Sequence, residues 1–191
     1  MSNRDGIDAR LSALLGVEAR LVTERVPTDA DHHRAIRDRL PGHGAVSLAY
    51  ALPLAVALLG PAGSELGVDL EPVGRPVGPI DRLLRHPRDP SPELEPRLRL
   101  WTVKEAVFKA HPCSRDLTGY ACPRAGRGGI ALAPCGRRIR HATLRLEPGS
   151  GPRAYWLSVA RTLPRVPSEM PGCHPQPPTT DPSGDQQCHF R

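Results

Sequence analysis

A mixed fold of helices and strands is predicted for this chain, and three observations predict it. Apolar residues recur at helical spacing in two places, near the N-terminus and over residues 93–110. Between them lie short aliphatic runs bounded by Pro and Gly, as buried strands are. Further on, residues 139–147 and 154–161 alternate apolar and polar side chains, as half-buried strands do. The length, 191 residues, suits one modest domain or two small lobes on a shared core. At 39% hydrophobic residues that core can be buried, and at 4% aromatics it must be mostly aliphatic.

In chain order, Ile7, Leu11, Leu14 and Leu15 define a first helix with Gly16 as its stop. Residues 18–23 read as a short strand. Asp29 or Asp31 can cap a second helix that runs to about Leu40 and ends at Pro41-Gly42. Residues 45–49 and 54–59 read as two buried strands around Leu52-Pro53, and 66–70 as a third after the turn at Pro61-Ala62-Gly63-Ser64. A short helix is expected near 80–85 and a long one over 93–110, stopped by His111-Pro112. Residues 113–138, rich in Gly, Arg and Cys, read as irregular. The two alternating strands then form a hairpin across Pro148-Gly149-Ser150-Gly151-Pro152. The expected domain is 1–163. From 164 to 191 aliphatics nearly vanish, and a disordered Pro-rich tail is expected.

The formal net charge of +6 suggests an anionic partner. No aromatic-interleaved basic stretch supports a nucleic-acid surface, and no run of about 18 apolar residues supports a membrane span. Of the 26 basic residues two are lysines, so 24 are arginines. That bias looks compositional, and it makes the two lysines conspicuous. Lys104 and Lys109 sit together, where a compact ammonium is retained in a chain that otherwise uses guanidinium. The five cysteines form no CxxC pair and no zinc spacing, so a cytoplasmic protein with reduced thiols is expected.

Two segments carry chemistry. In Gly67-Val68-Asp69-Leu70-Glu71 strand alternation puts Asp69 and Glu71 on one face, side by side. Paired carboxylates repel unless a cation sits between them, and oxygen donors of this kind suit Mg²⁺. A solvated strand edge could carry the same pair. In the long helix, Leu94, Leu98, Trp101, Glu105 and Phe108 fall on one face, so Glu105 is expected to point inward among apolar residues. An i,i+4 pair with Lys109 would contribute only about 0.3–0.5 kcal/mol, too little to justify an inward carboxylate. A metal shared with Asp69 and Glu71 would account for all three acids.

The order GVDLE and then WTVKEAVFK resembles the two signature motifs of 4′-phosphopantetheinyl transferases, with Gly67, Asp69, Glu71, Trp101, Thr102, Lys104, Glu105, Ala106 and Lys109 at the defining positions. Glu71 makes the chain resemble the surfactin-synthetase-activating type rather than the short trimeric holo-acyl-carrier-protein synthase type. The resemblance covers residues 45–111. It implies an α+β fold of two pseudo-symmetric α/β lobes with coenzyme A, the substrate, bound between them. It implies Mg²⁺ held by Asp69, Glu71 and Glu105, with Lys104 and Lys109 neutralising phosphate. Glu105, or a metal-bound water, would deprotonate the serine of an acyl or peptidyl carrier protein. The two-lobe type is usually monomeric, and its carriers are acidic helical bundles that suit a basic enzyme.

One family element departs from the pattern. Where a Ser-x-Ser-His-like segment contacts coenzyme A phosphates, this chain has Ser47-Leu48-Ala49-Tyr50. Ser47 fits, while Tyr50 offers a phenol without positive charge in place of the His. His43 could compensate from the preceding turn. The Arg34, Arg37 and Arg39 cluster is the expected contact for the 3′-phosphate. The segment ahead of it is shorter than usual for the type, which implies a trimmed first lobe. A relative that binds carrier protein or coenzyme A without efficient transfer is the alternative reading.

Overall fold

The computed structural model describes residues 3–26, 36, 40, 42, 44–76, 78, 84–91, 97–124, 128–147 and 154–165. The expected second helix with Arg34, Arg37 and Arg39, His43, most of the short 80–85 helix, the hairpin loop at 148–152 and the tail from 166 lie outside the described residues. The described chain is a mixed α and β structure of two helices and two antiparallel sheets.

Helix α1 spans Asn3–Leu15. Leu11 and Leu15, four residues apart, are its fully buried positions, as the apolar spacing requires. Gly16 takes a positive φ of 66° and its N–H returns to the Ser12 carbonyl at 2.8 Å, which closes the helix C-terminus. The Ser12 hydroxyl accepts from Ala19 N at 2.9 Å, and Asp8 accepts from Leu21 N at 2.8 Å. These bonds hand the chain over to strand β1, Arg20–Arg25.

Strands β2, Ala45–Ala51, and β3, Leu54–Gly60, form the expected hairpin, and β1 pairs with the other edge of β3. The continuous apolar run in β3 reflects burial on both faces. Leu54, Val56 and Leu58 enter the main core, while Ala55 and Ala57 face a second cluster with Val26 and Ile36.

Strands β4, Leu66–Pro72, β5, Gly128–Leu132, β6, Arg138–Leu146, and β7, Tyr155–Thr162, form the second sheet in the order β4-β7-β6-β5. Strand β5 lies inside the stretch read from sequence as irregular, and that reading is corrected. Its two leading glycines and small alanine hide the alternation, yet Gly128–Leu132 pairs fully along β6. One face of this sheet, with Val68, Leu70, Leu144, Leu157 and Val159, shares the main core with the first sheet and α1. A cross-link reinforces that junction, since the Ser47 hydroxyl of β2 accepts from Val68 N of β4 at 3.0 Å.

Helix α2, Arg97–Ala110, covers the other face of the second sheet. Its fully enclosed apolar stripe is Val103, Ala106, Val107 and Ala110, packed against Ala131, Ile139 and Ala160. Of the stripe expected from sequence, Leu94 lies outside the described residues, and the reading of Leu98, Trp101, Glu105 and Phe108 as the inward face is corrected. Only Leu98 of those four is buried, and the other three are half-buried on the flank. Small side chains rather than large ones mark the inward face because β4 comes unusually close. An added Cβ at Gly67 would collide with the Ala106 carbonyl and lie 2.6 Å from Ala110 N.

A carboxylate cluster where β4 meets α2

The close approach at Gly67 sets up everything beyond it. Residues 67, 69 and 71 share the helix-facing side of β4. Strand side chains on one face repeat every ~6.7 Å, and four residues of helix rise ~6.0 Å, so the two ladders stay nearly in step. The helix runs opposite to the strand. Thus Gly67 meets Ala106 and Ala110, Asp69 meets Lys109, and Glu71 meets Trp101. Glu105 lies on the helix between Lys109 and Trp101.

Asp69 is buried, and its Oδ1 accepts from the Lys109 ammonium at 2.8 Å. Lys109 also donates to the Val68 carbonyl at 3.1 Å. The second carboxylate oxygen, Oδ2, is buried with no hydrogen-bond donor. Burial, opposed by Lys109 and reinforced by Glu105 and Glu71, raises the Asp69 carboxyl from 3.8 to about 6. Burial likewise raises Glu105, with Lys109 opposing and Glu71 adding to it. The acids of the two segments therefore feel one another's charge.

Glu71 is held by groups that motif reading missed. The Arg75 guanidinium donates to both its oxygens at 2.5 Å, and Trp101 Nε1 donates to Oε1 at 3.2 Å. Arg75 follows Glu71 by four residues, across the turn whose Arg75 N donates to Pro72 O at 3.1 Å. That spacing was the available signal. The apolar spacing that puts Trp101 on the core stripe carries no sign of its ring nitrogen as a donor to Glu71.

Two other expected site residues are placed differently. Lys104 is 0% exposed, with its ammonium on Asp89 Oδ2 at 2.5 Å, the Leu84 carbonyl and the Leu117 carbonyl at 3.3 Å. All three of its N–H bonds are thus used inside the protein. In this conformation it cannot meet a phosphate, and the catalytic and cofactor-binding role expected for it is corrected. Ser47 is spent on Val68 N, so its oxygen lies within the sheet junction rather than at a phosphate site. Tyr50 is half-buried against the Val26 cluster. Arg34 and Arg37 are outside the described residues.

All-carboxylate donors and an orphaned buried oxygen fit a hard divalent cation such as Mg²⁺. Among the described residues, however, the group of three ligand atoms that already lie within 4.8 Å of one another is His111, Cys113 and Cys135, not the acids. To share an ion the carboxylates must close up, and Glu71 must turn from Arg75. That guanidinium is 47% exposed but the Glu71 side chain only 9%, so the turn gives up a counter-charge on a buried carboxylate that the ion would have to replace. Among the described residues no helix is long and apolar enough to cross a membrane. Neither a protein-family model nor a curated protein sequence matches the chain.

Proposed function

We propose that this chain is a magnesium-dependent 4′-phosphopantetheinyl transferase, which moves the phosphopantetheine arm of coenzyme A onto a serine of an apo acyl or peptidyl carrier protein and releases 3′,5′-ADP. The single observation that carries the reading is the buried, donorless Oδ2 of Asp69 amid carboxylates from two separate segments. A buried anionic oxygen without a partner costs several kcal/mol, and a cation would relieve it. The order and spacing of the two motifs supply the reaction class.

In this reading Asp69, Glu71 and Glu105 would hold Mg²⁺. When bound, the ion neutralises pyrophosphate charge and polarises the transferred phosphoryl group. Lys109, partly exposed beside Asp69, is the one of the two motif lysines left to face a phosphate. Glu105, whose proton affinity burial raises above the ordinary carboxylate range, would take the proton from the attacking serine hydroxyl. The two-lobe arrangement around a coenzyme A cleft, a monomeric state and a cytoplasmic location belong to the same proposal.

The test is to incubate the full chain with coenzyme A, Mg²⁺ and several apo carrier proteins and to weigh the products. A gain of one phosphopantetheine group is expected, and intact mass on every carrier would defeat the proposal. The enclosure of Lys104 and Ser47 favours a second reading, a relative that binds coenzyme A or carrier without efficient transfer. Calorimetry separates the two: binding of coenzyme A without turnover selects the second.

A further inference from the structure

The chain turns sharply after α2. His111 N donates to the Val107 and Phe108 carbonyls, both at 3.1 Å, and Cys113 N donates to His111 O at 2.9 Å and to Tyr120 Oη at 3.0 Å. The Tyr120 hydroxyl donates back to His111 O at 2.6 Å. His111 and Cys113 are thus fixed on one side by a buried tyrosine. Opposite them, the turn between β5 and β6 closes through Gly136 N on Ala133 O at 2.9 Å, with Gly136 at a positive φ of 80°. That turn presents Cys135. His111 Nε2 lies 3.2 Å from Cys135 Sγ, and the ligand atoms of all three side chains lie within 4.8 Å of one another. Both thiols are free and exposed.

The other ring nitrogen is also engaged. His111 Nδ1 sits 3.1 Å from Glu65 Oε2. A carboxylate on Nδ1 fixes the imidazole with Nε2 toward the thiols, as partners of metal-bound histidines do.

We infer that His111, Cys113 and Cys135 form a binding site for a borderline-soft transition-metal ion, Zn²⁺ before others, with Glu65 as the positioning residue. Two thiolates and an imidazole suit Zn²⁺ and exclude Mg²⁺. Zn–S and Zn–N bonds of ~2.3 and ~2.0 Å at tetrahedral angles place ligand atoms about 3.5–3.8 Å apart. Separations of at most 4.8 Å need adjustments of no more than about 1.3 Å to meet that. Three protein ligands leave the fourth position to water. The cysteine spacing alone does not reveal the site, because 22 residues separate the two thiols and only the β5–β6 turn brings them together. The site is separate from the carboxylate cluster and does not rest on the proposed transfer activity.

The test uses the reduced full chain, kept anaerobic and titrated with Co²⁺ and then Zn²⁺. One equivalent of Co²⁺ should produce a thiolate-to-cobalt charge-transfer band, which one equivalent of Zn²⁺ abolishes. The band should vanish in Cys113→Ser and Cys135→Ser and persist in the Cys173→Ser/Cys188→Ser double variant. Glu65→Gln should retain it with 10–100-fold weaker affinity. Zn²⁺ should also protect Cys113 and Cys135 from alkylation in the unmodified chain, a readout that does not depend on any variant folding. Absence of the band at one equivalent, its survival in Cys113→Ser, its loss in Cys173→Ser/Cys188→Ser, or alkylation unaffected by Zn²⁺ each overturns the inference.

Discussion

Lys109 gives its ammonium to only one oxygen of Asp69, Oδ1 at 2.8 Å, and leaves Oδ2 enclosed without a donor. The pairing is half of what a buried carboxylate requires, and the net result is a carboxyl raised to about 6. Asp69 is thus kept at a cost to the fold. Asp69→Asn should remove that cost. Thermal or urea unfolding in chelator at pH 7.5 is expected to show the variant more stable by about 1–3 kcal/mol, from 1.36 kcal/mol per unit of pKa. If the carboxylate serves a cation, the same variant loses Mg²⁺ binding in calorimetry. A destabilised Asp69→Asn protein would mean that the Lys109 pair outweighs burial.

The two lysines differ in kind, and stability measurements should separate them. Lys104 is sealed against Asp89, which also accepts from Cys122 N at 2.8 Å and His86 N at 2.9 Å. Removing Lys104 leaves that carboxylate buried without its counter-charge, a loss of about 3–5 kcal/mol. Lys104→Ala is therefore expected to unfold at much lower urea concentration. Lys109→Ala also strips a buried carboxylate of its donor, but that ammonium is a third exposed and water can partly replace it, so a smaller loss of about 1–3 kcal/mol is expected. Comparable losses from both would refute the separation.

Gly67 is a steric requirement. Gly67→Ala drives a methyl group into the Ala106 carbonyl, and backbone rather than a flexible side chain must yield. Overpacking of this kind costs about 1–3 kcal/mol or more. Because Asp69 and Glu71 meet α2 in register with Gly67, the displaced helix should also weaken the hold of Trp101 on Glu71. Tryptophan fluorescence and urea unfolding would register both effects. A wild-type midpoint in Gly67→Ala would show that β4 and α2 are not locked at this point.

Strand alternation was enough to place Asp69 and Glu71 on one side of β4. That relation is local, so periodicity carries it. Helix period put Glu105 on the inward stripe, whereas it lies half-buried on the flank of α2. The inward face of α2 was misread because Ala106 and Ala110 have no bulk to signal burial, and their role depends on a glycine some forty residues away. Strand β5 was missed for the same reason: its pairing with β6 is readable only once β6 is in place. The Lys104–Asp89 pair joins a helix to a Pro-rich stretch with no periodic pattern, so nothing local marks Asp89 as a partner. His111, Cys113 and Cys135 likewise meet only through the β5–β6 turn.

His141 and Asp69 should make opposite and nearly cancelling contributions to stability between pH 4 and 6. His141 is buried with neither ring nitrogen hydrogen-bonded, and burial lowers it from 6.5 to about 4. As pH falls below 6.5 the unfolded chain takes up this proton while the fold refuses it, so stability is lost on acidification until about pH 4. The full loss is roughly 3 kcal/mol. Asp69 is raised from 3.8 to about 6, so the fold keeps a proton that the unfolded chain releases. Its contribution is therefore lost as pH rises through that range, again by roughly 3 kcal/mol. Glu105, raised by burial, acts in the same direction as Asp69. Urea unfolding in chelator at pH 4.5, 5.5 and 6.5 should show a shallow profile for the wild type. Asp69→Asn should unmask a stability that climbs with pH, and His141→Leu one that declines with pH. Parallel profiles for the three proteins would show that neither group is held as this fold holds it.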